Sequence, residues 1–300
     1  MVQPPPHRIV EAVVEWYEAN RRDLPWRAEG RTPWGVLVSE VMLQQTPVAR
    51  VLPAWSAWMD RWPTPRELAA HPPGEAVRQW DRLGYPRRAL NLHAAAVAIV
   101  QRHGGDVPRA ESELRDLPGV GEYTAAAVRA FAFAQRSVVL DTNVRRVLAR
   151  MLGGVAHPPP SLTVAERERA QGLVPADGSE AARWSVAVME LGALVCTASD
   201  PRCAECPAGA WCAWLRADRP AYAGPARRVQ RFAGTDRQTR GRLMAVLRAS
   251  RDPVPLSALE AAWTDDLQRH RALDGLVADG LVEPLPGRMY RLPERAAGPE

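Results

Sequence analysis

The 300-residue sequence contains no lysine, and all 39 of its basic residues are arginine. That absence excludes any chemistry running through a lysine amine, Schiff-base formation above all. Cysteine is scarce: the four residues fall between Cys196 and Cys212, too close together to staple a chain of this size and better suited to a metal site. No run of about 18 apolar residues occurs, and the proline-rich start from Met1 to Ile9 lacks the apolar core of a signal peptide. Neither a membrane span nor export is therefore expected, and the cytoplasm is the expected compartment. Alternating strand patterns are missing before residue 280, which points to an all-α main domain.

A hydrophobic content of 46% supports at least one sizeable core, and the length suggests two domains. Apolar residues spaced three and four apart predict helices in Ile9 to Tyr17, Val36 to Leu52, Leu90 to Val100, Thr124 to Phe133, Val144 to Leu152 and Trp184 to Val195. Proline-rich turns such as Trp62-Pro63-Thr64-Pro65 and His71-Pro72-Pro73-Gly74 separate them. The expected organisation is a helical domain over 1–215, a basic linker over 216–235 rich in Pro, Gly, Ala and Arg, and a small domain over 236–294. In the last, Arg240 to Arg251, Leu256 to Trp263 and Asp266 to Asp279 read as helices, and Leu281 to Leu292 as two extended runs around Pro286-Gly287, the elements of a winged-helix-like unit. The net charge of +5 is concentrated: Pro220 to Arg251 holds eight arginines against one acid, Asp236. Arg227, Arg228 and Arg231 in that stretch are candidate phosphate contacts.

Four motifs carry chemistry. Cys196, Cys203, Cys206 and Cys212 are separated by six, two and five residues; four thiolates so spaced can hold zinc or an iron-sulfur cluster, and spacing alone does not separate the two. Arg202, just before Cys203, is a candidate phosphate contact. Leu117-Pro118-Gly119-Val120-Gly121 lies between helical patterns, where Gly119 and Gly121 permit close backbone approach to a phosphate at a helix N-terminus. Glu40, in the string SEVMLQQT, shares a helix face with Leu37 and Leu43 and adjoins Val41; desolvation favours the protonated carboxyl that a general acid needs. Asp141, in LDTNV, stands directly before a helix, where amide hydrogen bonds and the helix dipole favour an ionised carboxylate. Two carboxyls with unlike surroundings can divide the roles of acid and counter-charge.

Together, SEVMLQQT, LPGVGEYTAAA, LDTNV and the cysteine loop resemble, in order, the motifs of the MutY branch of the endonuclease III-like helix-hairpin-helix DNA glycosylases, over residues 8 to about 215. The resemblance implies one 4Fe-4S cluster on the four cysteines and excision of adenine opposite 8-oxoguanine or guanine in double-stranded DNA by a monomer. Glu40 would protonate adenine and Asp141 would stabilise the sugar cation. Tyr123 stands where endonuclease III has its lyase lysine, which implies base release without strand cleavage. Gln45 and Tyr85 would probe the base stack, with Trp26, Arg27, Leu43, Val48, Tyr123 and Asn143 at or beside the adenine pocket. Pro86, where some relatives have a second aromatic, and the short tail from about residue 236, too small for the NUDIX-like domain of familiar MutY proteins, depart from the pattern. The alternatives are a pyrimidine glycosylase like endonuclease III and a DNA-binding iron-sulfur regulator without enzymatic activity.

Overall fold

A computed structural model describes residues 6–222, 224 and 232–294. By internal contacts the chain forms two compact units that do not follow sequence order. One comprises 1–36, 109–115 and 120–226, the other 37–108, 116–119 and 227–300. Among the described residues no helix is long and apolar enough to cross a membrane.

In the first unit, the N-terminal helix Pro6–Asn20 and the helix Thr142–Met151 both pack on Gly178–Leu194. Ile9, Val13 and Tyr17 meet Val144, Val147, Leu148, Trp184, Val188 and Leu191 in one dry cluster, the contiguous apolar stripe that a 3.6-residue period produces. Glu190 lies in that helix with its side chain fully buried. It accepts from Arg22 Nε (2.7 Å) and Nη2 (2.7 Å) and from Arg27 Nη1 (2.9 Å). Burial alone would raise its pKa, but the two guanidiniums outweigh burial and hold the carboxyl at about 2.

The second unit is built on helix pairs around an edge-on tryptophan cluster, Trp58 with Trp62 (4.8 Å between ring centroids) and with Trp80 (5.8 Å). The proline-rich stretches read as turns also start helices. Thr64 and Pro72 are N-caps, and Pro65 and Pro73 occupy the first helical position, where a missing N–H costs nothing. The periodic run from Val36 to Leu52 is two helices, Pro33–Leu43 and Val48–Arg61, because Pro47 cannot continue the first and Gln45 turns the chain through the left-handed region at φ +56°. The C-terminal residues follow the winged-helix order: helix Asp236–Ala249, strand Val254–Pro255, helices Leu256–Ala262 and Asp266–Ala278, strands Glu283–Leu285 and Met289–Arg291. The antiparallel sheet has the last strand in its centre. The two-residue strand at Val254 in the C-terminal residues is not among the elements expected there; it is too short to show alternation and contains Pro255, tolerated at a sheet edge.

Candidate active site

Glu40 sits in a helix whose residues from Trp34 to Met42 are all buried, and it is itself only 5% exposed. The helix starts because Thr32 Oγ1 accepts from Gly35 N–H (3.0 Å) and Pro33 fills the first turn. It ends on Arg88. That buried guanidinium donates through Nη1 to the carbonyls of Val41 (2.9 Å), Met42 (3.1 Å) and Gln44 (2.5 Å), and through Nη2 to Thr46 Oγ1 (3.0 Å) and Gly84 O (3.0 Å). Burial lowers its pKa to about 10, still well above neutrality. One cation thus collects the orphan carbonyls of the Glu40 helix and ties them to the Gly84 turn. Beyond the helix, Leu43 and Val48 are half-buried and Gln45 is exposed. Tyr85, 48% exposed with φ +49°, follows Gly84, whose carbonyl also accepts from Trp80 Nε1 (2.9 Å).

Asp141 caps the helix Thr142–Met151. Its Oδ1 accepts from Val144 N–H (2.6 Å) and its Oδ2 from Asn143 Nδ2 (2.8 Å). Asn143 Oδ1 in turn accepts from Arg146 Nη2 (2.9 Å), and Arg146 also donates to Gly192 O (2.7 Å) and Cys196 O (2.8 Å). A Cβ at Gly192 would stand 2.7 Å from that of Asn143, so the glycine is what lets this web close. Burial pushes the Asp141 carboxyl above its usual range, against the opposing pull of the Val144 and Asn143 hydrogen bonds and the Arg146 charge. The sequence pointed only to the stabilising cap; the desolvation comes from packing it could not reveal.

One turn further along the same helix, Arg150 Nη1 donates to Cys196 Sγ (3.4 Å) and Thr197 O (2.7 Å), and its guanidinium lies 4.6 Å from the Trp214 ring centroid. Cys196, Cys203, Cys206 and Cys212 are half-buried and form no disulfide. Burial, with the other three cysteines nearby, pushes the Cys206 thiol up to about 11. Four half-buried thiols within electrostatic reach of one another, with Arg150 donating to that of Cys196, suit an anionic thiolate cage. Among the described residues no three such side chains converge on a position for a single metal ion. Arg202 is exposed and engaged within the loop, with Glu205 (2.8 Å) and Leu194 O (2.6 Å).

In the hairpin, Gly119 has φ +77° and a Cβ there would meet that of Asn91 at 2.7 Å, so both its conformation and its packing require glycine. Gly121 differs: its φ of −87° suits any residue and open space surrounds it. Its value is a bare N-cap on the helix Glu122–Phe133, which carries no side-chain cap. Tyr123, in the first turn, packs on Ala127, Ala130 and Val139. Trp26 is buried, and Arg27 is committed to the Glu190 ion pair. The basic residues Arg227, Arg228 and Arg231 lie outside the described residues. Sequence reasoning missed Arg88, Arg146, Glu190 and Gly192. The signal for Arg88 was a charge in register with Leu92, Ala95, Ala96 and Ile99, all buried on one helix face.

Residues 38–171 match the model of the HhH-GPD superfamily of base excision DNA repair proteins. The chain is 52% identical over 272 residues to the adenine DNA glycosylase of Mycolicibacterium smegmatis, covering 90% of this chain and 91% of that protein. It is 48% identical over 293 residues to the Mycobacterium tuberculosis enzyme of that name, covering 97% and 96%. To the human adenine DNA glycosylase it is 41% identical over 212 residues, covering 67% of this chain and 38% of the human protein. Among solved structures, a thermostable thymine-DNA glycosylase superposes with a TM-score of 0.64 at 28% identity, covering 71% of this chain and 97% of that one. An endonuclease III bound to DNA, at 23% identity and a TM-score of 0.62, shares the fold over 73% of this chain and 100% of its own. With motifs, fold and near-full-length relatives in agreement, the chain belongs to the adenine DNA glycosylase (MutY) family of the HhH-GPD superfamily.

Proposed function

We propose that the protein hydrolyses the N-glycosidic bond of adenine opposite 8-oxoguanine or guanine in duplex DNA, acting as a monomer and leaving an intact abasic strand. The observation that carries this reading is the placement of its two carboxyls: Glu40 lies inside a buried helix, and Asp141 caps a helix start, accepting from Val144 N–H and Asn143 Nδ2. Glu40 donates its proton to a ring nitrogen of adenine. The bond to the sugar breaks with its electron pair leaving on the base, which departs neutral. The oxocarbenium left behind is stabilised by ionised Asp141, water adds to the sugar carbon, and the proton it sheds restores the acid. Because burial raises Asp141, the acid limb of the rate profile lies above the ordinary aspartate range: excision falls as pH drops through that raised pKa.

Strand cleavage needs an amine to form an imine with the abasic sugar. The chain has no lysine, and Tyr123 stands at the post-hairpin position. The four cysteines would hold one 4Fe-4S cluster, which would order the loop around them. Bare amides at the Gly121 N-cap would bind a DNA phosphate, and the arginines around Arg227 would bind others. The test is adenine release in single turnover from duplexes with adenine opposite 8-oxoguanine, guanine and thymine. Release from the first two, without borohydride trapping, is expected. Release of a pyrimidine, or stoichiometric trapping, would overturn the reading.

A further inference from the structure

The C-terminal helices and sheet belong to the same compact unit as residues 37–108, and named contacts fix them there. Gly74 N–H donates to Pro293 O at 2.7 Å, and a Cβ at Gly74 would stand 2.9 Å from that of Leu292. Arg78 donates to the carbonyls of Arg248 and Ser250, the latter at 2.7 Å, and Arg87 pairs with Asp279 at 3.3 Å. Beside these anchors Arg237, near the start of the helix Asp236–Ala249, places its guanidinium carbon 5.1 Å from the centroid of the Tyr85 ring; Arg88 approaches the same ring at 5.6 Å. Tyr85 is an exposed aromatic on a backbone held in the left-handed region, a conformation that a non-glycine residue keeps only where its surroundings enforce it. A rigidly mounted, exposed ring is suited to entering a base stack from which a nucleotide has been extruded.

We infer that Arg237 is a positioning residue for Tyr85, and that through it the C-terminal module takes part in reading the mismatch. This rests on the proposed excision of adenine opposite 8-oxoguanine and on the family resemblance, which implies that Tyr85 probes the base stack. Arg88 fixes the backbone beneath the ring, while Arg237 sets the ring's direction from a separate element. An exposed cation–π contact changes an equilibrium about two- to fivefold.

The experiment measures affinity for a duplex carrying 2′-fluoro-2′-deoxyadenosine, whose glycosidic bond resists cleavage, opposite 8-oxoguanine and, for comparison, opposite thymine. Arg237→Ala should lower the ratio of the two affinities about two- to fivefold, Arg237→Lys should restore part of it, and Arg237→Ala should add nothing in a Tyr85→Leu background. Gly74→Ala, which crowds the module's anchor without touching Arg237, should give a smaller loss of the same kind. Equal losses on both duplexes, or additive effects of Arg237→Ala and Tyr85→Leu, would make Arg237 an ordinary phosphate contact and overturn the inference. If the wild-type protein itself shows no preference for 8-oxoguanine, the mismatch reading falls and the inference with it. If that preference stands and Arg237→Ala keeps it, the inference alone falls.

Discussion

The segment around Glu40 and the segment around Asp141 are built by opposite means. At Glu40 the sequence supplies a helix buried on all sides, with the carboxyl in its interior and only 5% exposed. At Asp141 it supplies donors: a backbone amide, an asparagine and, behind the asparagine, an arginine. Both are secured by buried arginines that gather several carbonyls at once, Arg88 in one unit and Arg146 with Arg150 in the other. Guanidinium is the group for this, since a planar fork of five donors satisfies several acceptors that a compact ammonium cannot reach together. The comparison teaches that burial alone does not assign a carboxyl's role. Glu40 stands inside its helix, whereas Asp141 stands at the N-terminus of its own, where Val144 N–H and Asn143 Nδ2 meet the charged form.

The largest effects should come from the carboxyls themselves. Glu40→Gln removes the transferable proton and should slow single-turnover excision by about 10³-fold with mismatch binding retained. Asp141→Asn keeps a cap but loses the charge, and a loss of about 10²–10³-fold is expected in the same assay. Near wild-type rates in either would erase the contrast drawn between them.

Next come the arginine supports. Arg88→Lys leaves several buried carbonyls without donors and should cost about 2–4 kcal/mol in urea unfolding; an unchanged midpoint would show that packing alone ends the Glu40 helix. The buried Arg22–Glu190–Arg27 group gives a pH signature in the other unit. A glutamate held at about 2 contributes stability that is complete above its unfolded value near 4.3 and is lost as pH falls toward 2. Glu190→Gln should therefore be less stable than wild type at pH 7, with the difference shrinking below about pH 4 and closing only as pH falls through about 2. A constant difference across that range would show that the pair is not the source. Smallest is the linker: neutralising Arg227, Arg228 and Arg231 should flatten the salt dependence of binding by about three in the log–log slope, read by fluorescence anisotropy, without altering the excision step.

Much of this was legible in the sequence because it was local. The helix periods of Ile9 to Tyr17 and Trp184 to Val195, the N-cap at Asp141 and the tight turn at Gly119 depend on residues a few positions apart. What stayed hidden was long-range. Arg88 acts on carbonyls more than forty residues away in sequence, and Glu190 on arginines still farther off. Gly192 matters only because Asn143 packs onto it. The break at Gln44–Pro47 was locally marked by Pro47, yet the apolar period ran through it because two successive helices both bury a face there. Gly121 resembled Gly119 as a letter, but one needs its conformation and the other only its bareness.

The division of labour between the carboxyls is tested most directly by varying the leaving group. Single-turnover excision would be measured for wild type, Glu40→Gln and Asp141→Asn on duplexes whose target purine carries progressively more electron-withdrawing substituents. As the base departs more readily without protonation, the deficit of Glu40→Gln should shrink steeply while that of Asp141→Asn stays constant, since the sugar cation is the same in each. Deficits that shrink together, or a Glu40→Gln deficit indifferent to the leaving group, would contradict the assignment of acid and counter-ion.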